Sequence, residues 1–201
     1  MSHFHKDTTS AMSLMLSELG LFLGTAILFT IIFSFVFFND WQRTVDLQSI
    51  SSDFSNQIDD IPLLFFERAI GYQFPQRQYP YQVMISPEYL VLIGEGSWGV
   101  RLLVTERLIT NPWCHHVNQT WTTGEELHAY FNDTTGHLGT RDDPVPMENF
   151  TDFLSENLAL QSSFGLHPVE IDTIKPVILE RVIIYYNIDK KQDFLLIYQE
   201  F

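Results

Sequence analysis

The first 61 residues change once in pattern, from a continuous apolar run to periodic apolar positions. Residues 19–38, LGLFLGTAILFTIIFSFVFF, are twenty consecutive uncharged and mostly apolar residues. At a rise of about 1.5 Å per residue, a helix of this length is close to the ~30 Å thickness of bilayer hydrocarbon. The run therefore predicts one membrane-spanning helix over residues 19–38, after a short cytoplasmic segment of residues 1–18.

A secretory signal peptide is the alternative interpretation of this apolar run. Such signals have an apolar region of roughly 7–15 residues and end in a small-residue cleavage site. Here the run is longer and leads from Phe38 through Asn39 and Asp40 to Trp41, with no Ala-x-Ala-like site. We therefore predict a retained anchor, with Trp41 as an aromatic residue at the membrane interface.

Beyond the run, apolar residues recur at steps of three and four, with polar residues between them. This spacing predicts an amphipathic helix over residues 39–61 with one narrow apolar face. Because no Gly or Pro lies between Gly24 and Pro62, we favour one continuous helical rod. The alternative is a break at Asn39–Asp40, between a membrane helix and a separate helix packed on its own domain. The apolar positions are Leu47, Ile50, Phe54, Ile58 and Ile61.

After Pro62 the pattern changes to β-rich runs separated by turn residues, with two short helices between the two groups of runs. This order predicts an α+β domain over residues 62–201, an antiparallel sheet whose apolar face is covered by the amphipathic helix. The run at 177–188 is apolar enough to be a central strand. The predicted strands are Tyr81–Ser86, Tyr89–Ile93, Val100–Ile109, Val177–Ile188 and Asp193–Tyr198, and the predicted helices lie near Glu125–Phe131 and Met147–Leu160.

Three local predictions complete this outline. The segment 132–146 contains two Gly and two Pro and predicts a loop, and the segment 189–192 predicts a hairpin turn. In the second short helix one apolar face is predicted, formed by Met147, Phe150, Leu154 and Leu158.

Charge favours one side of the membrane. Of the 11 Lys and Arg and the 25 Asp and Glu in the chain, only Lys6, Asp7 and Glu18 precede Asn39, which leaves the remainder with 10 basic and 23 acidic residues and a formal charge of −13. Anionic lipid and nucleic acid both repel such a domain. We expect no nucleic-acid partner, and we expect the C-terminal domain to lie outside the cytoplasm.

Candidate modification sites agree with export. Asn-x-Thr triplets, the acceptor pattern for N-glycosylation, occur at Asn118, Asn132 and Asn149, all in predicted loops. Cys114 is the only cysteine of the chain, which excludes an intramolecular disulfide.

A long N-terminal helix, apolar in its first half and amphipathic in its second, leads here into a β-rich domain. This architecture resembles the type IV pilin class and the single-span pilin-like proteins of archaeal surface filaments, pilins or archaellum accessories. The resemblance implies self-association or contact with other envelope proteins. It also implies that Glu18 pairs with the amino terminus of a neighbouring subunit; the alternative is a hydrated carboxylate at the cytoplasmic interface.

Gly20 and Gly24 form a Gly-x-x-x-Gly pair inside the apolar run. Such a pair lets two helix backbones approach closely in a membrane. It predicts lateral packing of the anchor, although isolated glycines of this spacing also occur without function. The helix-packing residues predicted from the sequence are Glu18, Gly20, Gly24, Leu47, Ile50 and Phe54.

Gly94-Glu95-Gly96-Ser97-Trp98-Gly99 fits the Gly-x-Gly-x-x-Gly form of nucleotide-binding loops. A dinucleotide site requires a helix to open after the third glycine. Here the next residues continue as a strand, and the motifs that accompany a kinase glycine-rich loop are absent from the sequence. We predict a turn between strands.

Other candidate chemistry is weak. Cys114, His115, His116, His128 and His137 could in principle ligate zinc or copper, but the usual ligand spacing is absent. Ser97 or Cys114 beside a histidine could form a nucleophile pair. Glu125–Glu126 predict a helix N-terminal turn, and Asp142–Asp143 with Asp133 lack a calcium-loop pattern. We expect no cofactor, no metal and no enzymatic activity.

The sequence therefore predicts a single-pass protein of the cell membrane, with an extracytoplasmic domain that is a pilin-like structural or accessory part of a surface assembly. The alternative is an exported ligand-binding or sensor domain tethered by one helix, and a hydrolase is third.

Overall fold

The computed structural model describes residues 4–61, 66–114, 120–163 and 167–199, with side chains from Met15 onward except that of Ser163. The fold is α+β, as the sequence predicts: a long N-terminal helix precedes two four-stranded sheets and two shorter helices. The helices are α1 (Phe4–Asp60), α2 (Gly124–Thr135) and α3 (Met147–Ser163). The strands are β1 (Arg68–Tyr72), β2 (Tyr81–Ile85), β3 (Tyr89–Glu95), β4 (Arg101–Arg107), β5 (Trp113–Cys114), β6 (Val169–Ile171), β7 (Val177–Asn187) and β8 (Lys190–Tyr198).

Helix α1 is one uninterrupted helix of 57 residues, about 85 Å long at the standard rise. It passes through Asn39–Asp40 without a break, so the continuous rod is confirmed and the two-helix alternative is not observed. The helix ends two residues before Pro62, whose ring cannot continue a helical hydrogen-bond ladder. At its other end it already includes Phe4, so helical structure extends well before the apolar run begins.

The strands form two sheets rather than the single sheet that the sequence predicts. The first has the order β1-β7-β8-β5, in which only the β5–β8 pair is parallel, and the second has the antiparallel order β4-β3-β2-β6. All five predicted strands are present with ends shifted by a few residues. Strands β1, β5 and β6 were not predicted, because each is five residues or shorter and carries little apolar alternation.

The first sheet is the middle layer of the domain. One of its faces packs against α1 and the second sheet, through Leu179 and Leu195 among others. The opposite face packs against α2 and α3, through Ile184 and Phe194 among others. Because β7 is buried on both faces and lies between β1 and β8, its predicted central position is confirmed.

The second half of α1 covers the sheets as predicted. Its four periodic apolar side chains, and that of Ile61 directly after the helix, are each at most 2 % exposed. Phe54 packs against Tyr72 and Phe74, with ring centroids 4.7 and 4.8 Å away. Burying one such side chain contributes roughly 1.5–3 kcal/mol, so this face joins α1 firmly to the sheets. We call residues 19–38 of α1 the anchor segment and the rest of the chain from residue 41 the head.

The predicted apolar face of α3 is wrong in part. Phe150 is buried and Leu154 is partly buried, but Met147 and Leu158 are exposed. The other buried positions are Phe153, Asn157 and Gln161. The amide groups of Asn157 and Gln161 donate hydrogen bonds to the backbone oxygens of Phe153 and Cys114 respectively. A buried amide with such a partner is tolerated, and the hydrophobic pattern alone does not reveal it.

Two smaller predictions also change. Residues 132–135, predicted as the start of a loop, form the last turn of α2, which ends at Gly136 in the left-handed region with φ 75°. The β7–β8 turn lies at residues 188–189, and β8 already begins at Lys190.

Candidate functional site

The head does not cover the anchor segment along most of its length. None of its residues is buried, and all except Val36 are exposed. An apolar surface of this size is not left open to water in a soluble protein. Helix α1 is long and apolar enough to cross a membrane.

The two threonine side chains inside the anchor segment are hydrogen-bonded within the helix itself. The Thr25 hydroxyl donates to the backbone oxygens of Leu21 and Phe22, and the Thr30 hydroxyl donates to that of Ala26, at 2.8–3.0 Å. In hydrocarbon an unpaired polar group costs several kcal/mol, so internal pairing of this kind suits a lipid-exposed helix.

The predicted packing residues of the anchor are on the surface of α1. Glu18 is exposed one residue before the apolar run. Gly20 and Gly24 lie one turn apart on one helix face, and no described atom lies within 4 Å of a Cβ built at either. That face is therefore open to a second helix. Leu47, Ile50 and Phe54, by contrast, pack against the sheets of the same chain.

The glycine-rich corner between β3 and β4, residues 94–99, lies against α1 where the anchor segment ends. As predicted, it is a turn between strands: a 3-10 turn at Ser97–Gly99 leads directly into β4. The Asp40 carboxylate accepts a 2.7 Å hydrogen bond from the Ser97 backbone N–H. The Arg43 guanidinium donates to the Glu95 backbone oxygen at 2.6 Å. We call this corner with Asp40 and Arg43 the junction.

The tip of the corner reaches further toward the N-terminal end of α1. The Trp98 ring meets the Phe33 ring edge to face, with centroids 5.9 Å apart. Trp98 has φ 57° and ψ 29°, the left-handed region that bulky residues rarely occupy. Its side chain is nevertheless 72 % exposed. From the sequence this motif predicts only a turn; a tryptophan at the tip of a glycine-rich turn, just before Gly99, is the signal that marks the contact.

A second group of contacts fixes α1 one turn further along. The Asp46 carboxylate pairs with the Arg77 guanidinium at 2.8 Å and accepts a 2.7 Å hydrogen bond from the Tyr79 hydroxyl. Arg43 also lies over the Tyr79 ring, 5.2 Å from its centroid. Burial first, then the hydrogen bond to Asp46 and after it the Asp46 charge, raise the pKa of Tyr79 far above its ordinary value, so the hydroxyl remains a donor. Burial raises the pKa of neighbouring Tyr81 to about 12.

The candidate nucleophile and metal residues that the structure describes are either buried or paired with other groups. Cys114 is buried, and burial raises the pKa of its thiol to about 12, so it stays protonated. His128 contacts the Leu138 backbone oxygen and Glu67, and His137 contacts Asp143. Among the residues with described positions, no three His, Cys, Asp or Glu side chains are grouped to hold a metal ion. His115 and His116 lie outside the described residues.

The acidic pairs have structural partners. Thr123 and Glu126 form a capping box at the start of α2, so the predicted helix N-terminal turn at Glu125–Glu126 is confirmed. Asp143 accepts hydrogen bonds from His137 and from the Leu138 backbone N–H, and it lies in a loop with Asp142. Asp133 is exposed on the last turn of α2.

Two of the three candidate glycosylation sites are exposed, but not in loops. Asn132 lies on α2 and Asn149 lies in the first turn of α3, so their predicted loop positions are wrong. Asn118 lies outside the described residues. Asn132 lies one residue beyond the predicted end of α2, because the last turn of α2 carries polar residues that also occur in loops, whereas Asn149 lies within the predicted range of α3.

Comparison of the chain with protein families, with curated proteins and with solved structures finds no match.

Proposed function

We propose that this protein is a single-span membrane protein whose acidic head is a structural or accessory part of a cell-surface assembly. The observation that carries the proposal is the division of α1. One continuous helix is apolar over residues 19–38, with every side chain there except Val36 exposed, and is buried in the head along one face from Leu47 onward. Water cannot be the solvent of the first part, and a bilayer can.

The composition of the head supports an extracytoplasmic position. Its large negative charge is repelled by the anionic cytoplasmic leaflet. Asn132 and Asn149 are also exposed, as sugar acceptors need to be. The pilin-like architecture noted in the sequence agrees with this orientation, because in that class the apolar half of the helix is membrane-inserted and the β-rich domain is exported.

The anchor segment supplies the surface for assembly. Gly20 and Gly24 leave a flat strip on which the backbone of a second helix can approach closely. Glu18 lies at the edge of the apolar run, where burying its charge is costly unless a cation pairs with it. The function is thus helix packing and protein contact, with no chemical step.

The alternative, an exported ligand-binding or sensor head, has less support. The head has a cleft of about 730 Å³ beside α1, lined by Arg43, Arg77 and Tyr79 among others, and one of about 190 Å³ beside Trp113. Both clefts are open to solvent, whereas pockets for small ligands typically bury most of the surface of the ligand. Ligand binding by the head stays a prediction from the sequence.

Topology is tested with the full chain in intact cells. Cys114 is buried, so Asp189→Cys at the exposed β7–β8 turn supplies a thiol for a membrane-impermeant maleimide. We expect labelling before lysis, and we expect the protein to stay in the membrane pellet after alkaline carbonate. Labelling only after lysis would reverse the orientation, and release by carbonate would remove the anchor. The unsubstituted chain, whose thiol is buried, is the matched control.

A further inference from the structure

We propose that the β3–β4 corner is a second membrane-contacting site, which inserts Trp98 into the interface of the same bilayer that holds the anchor segment. The inference rests on the proposed membrane anchoring and goes beyond it. It assigns the head a lipid-binding surface of its own.

The depth of Trp98 follows from its contact with Phe33. Phe33 precedes the end of the apolar run at Phe38 by five residues, which is about 7 Å along the helix axis. Because helical side chains slant toward the N-terminus, the Phe33 ring lies still deeper in the anchor segment. A ring in contact with Phe33 is therefore level with the anchor segment and not with the head above it.

The corner has the chemistry of an interfacial site. Tryptophan is enriched at membrane–water boundaries, where its ring is apolar and its N–H stays in polar surroundings. Val100 and Leu103 follow Trp98 and are 53 % and 64 % exposed. Arg101 is exposed between them and can supply a cation for lipid phosphate. Its partner in the β3–β4 register is Glu95, so one carboxylate accompanies this cation.

The backbone of the corner is held in an unfavourable conformation that presents the indole. A non-glycine residue in the left-handed region costs about 1–3 kcal/mol and persists only where its surroundings impose it. Here the Asp40 carboxylate accepts a hydrogen bond from the Ser97 N–H, one residue before Trp98, and Arg43 donates to the carbonyl of Glu95 earlier in the turn. Both holding groups belong to α1, so the helix that enters the membrane also aims the corner at it.

Single-tryptophan variants in phospholipid vesicles test this site. The chain has four tryptophans, at positions 41, 98, 113 and 121. Full-length variants keep one each, the others replaced as in Trp41→Phe, and are mixed with lipids brominated near the head-group end of the acyl chains. We expect Trp98 to lose emission at least as strongly as Trp41, and the core residue Trp121 to lose none.

The outcomes separate the inference from the proposed function. If Trp41 is quenched and Trp98 is not, the head stands clear of the membrane, and the second site is overturned while the anchor survives. If neither is quenched, anchoring itself fails and the inference fails with it.

A labelling experiment covers the case in which the core substitutions disturb folding. Trp98→Cys leaves all three other tryptophans in place and carries an environment-sensitive thiol label, while Cys114 stays buried. Arg107→Cys, exposed at the far end of β4, is the matched control. A blue-shifted label at position 98 with a water-like label at 107 supports the inference; water-like emission at both overturns it.

Discussion

The two halves of α1 share one helical backbone and have opposite surroundings. The anchor segment exposes its apolar side chains on every face, whereas the half from Leu47 to Ile61 buries one face against two sheets. The backbone is helical in both halves, and only the pattern of side chains distinguishes one half from the other. A helix that is apolar all round requires surroundings other than water, in a bilayer or in a protein core, and a narrow apolar stripe requires a folded partner.

The largest expected difference between the halves is in the stability of the head. Phe54→Ala removes a fully buried ring from contact with Tyr72 and Phe74 and is expected to lower the free energy of unfolding by about 3–5 kcal/mol. Phe35→Ala in the anchor segment is expected to leave it unchanged, because that ring is 78 % exposed. Denaturant titration of the detergent-solubilised protein, followed by near-UV circular dichroism, measures both. Equal losses would mean that the head also depends on the anchor.

A smaller effect is expected where α1 crosses β3. A Cβ added at Gly94 would lie 2.7 Å from Leu47 Cδ1, so Gly94→Ala forces the leucine to move and is expected to destabilise the head by about 1–3 kcal/mol. Gly71→Ala on β1 is the matched control, since no described atom lies within 4 Å of its Cβ. The same unfolding measurement compares them. A neutral Gly94→Ala would show that the helix–sheet contact is loose.

Substitution on the glycine face is expected to change assembly and not stability. Gly24→Leu fills the strip beside Gly20 and is expected to reduce the cross-linked oligomers formed in native membranes. Ala26→Leu adds a similar bulk on a different face of the helix and is the control. Unchanged cross-linking in Gly24→Leu, or an equal loss in Ala26→Leu, would remove this face from the assembly.

The smallest effect is expected at alkaline pH, from the group that fixes α1 beyond the junction. Folding raises the pKa of Tyr79 and Tyr81, so their contribution to stability is complete below the unfolded value of about 10 and is lost as pH rises toward the folded values. Thermal unfolding between pH 9 and pH 11 should show this loss. Tyr79→Phe is expected to weaken the pH dependence of the unfolding temperature. If this pH dependence is unaltered, the loss of stability belongs to other groups.

Much of the fold follows from sequence pattern, and the missed parts share a cause. The stripe from Leu47 to Ile61 and the apolar run of β7 are local signals, and both led to correct elements. Strand β5 exists only because Trp113 and Cys114 pair with distant β8. The buried face of α3 contains Asn157 and Gln161, which no hydrophobic periodicity marks.

The sequence did not predict the junction, because the junction also depends on contacts between distant segments. Phe33 and Trp98 meet across 65 positions of sequence, and the turn that contains the left-handed Trp98 is hydrogen-bonded to Asp40 and Arg43 of another element. The sequence indicated a turn at Gly94–Gly99 and an anchor at residues 19–38. The contact between this turn and the anchor segment forms only in the tertiary structure, so neither local pattern indicates it.

Site-directed spin labelling along α1 in vesicles tests the central claim most directly. Phe29→Cys and Gln42→Cys place labels in the anchor segment and at the start of the head, and each is exposed to molecular oxygen, which enters lipid, and to a nickel chelate, which stays in water. The account predicts high oxygen and low nickel accessibility at position 29, with the reverse at position 42. High nickel accessibility at position 29 would place the anchor segment in water and contradict the account.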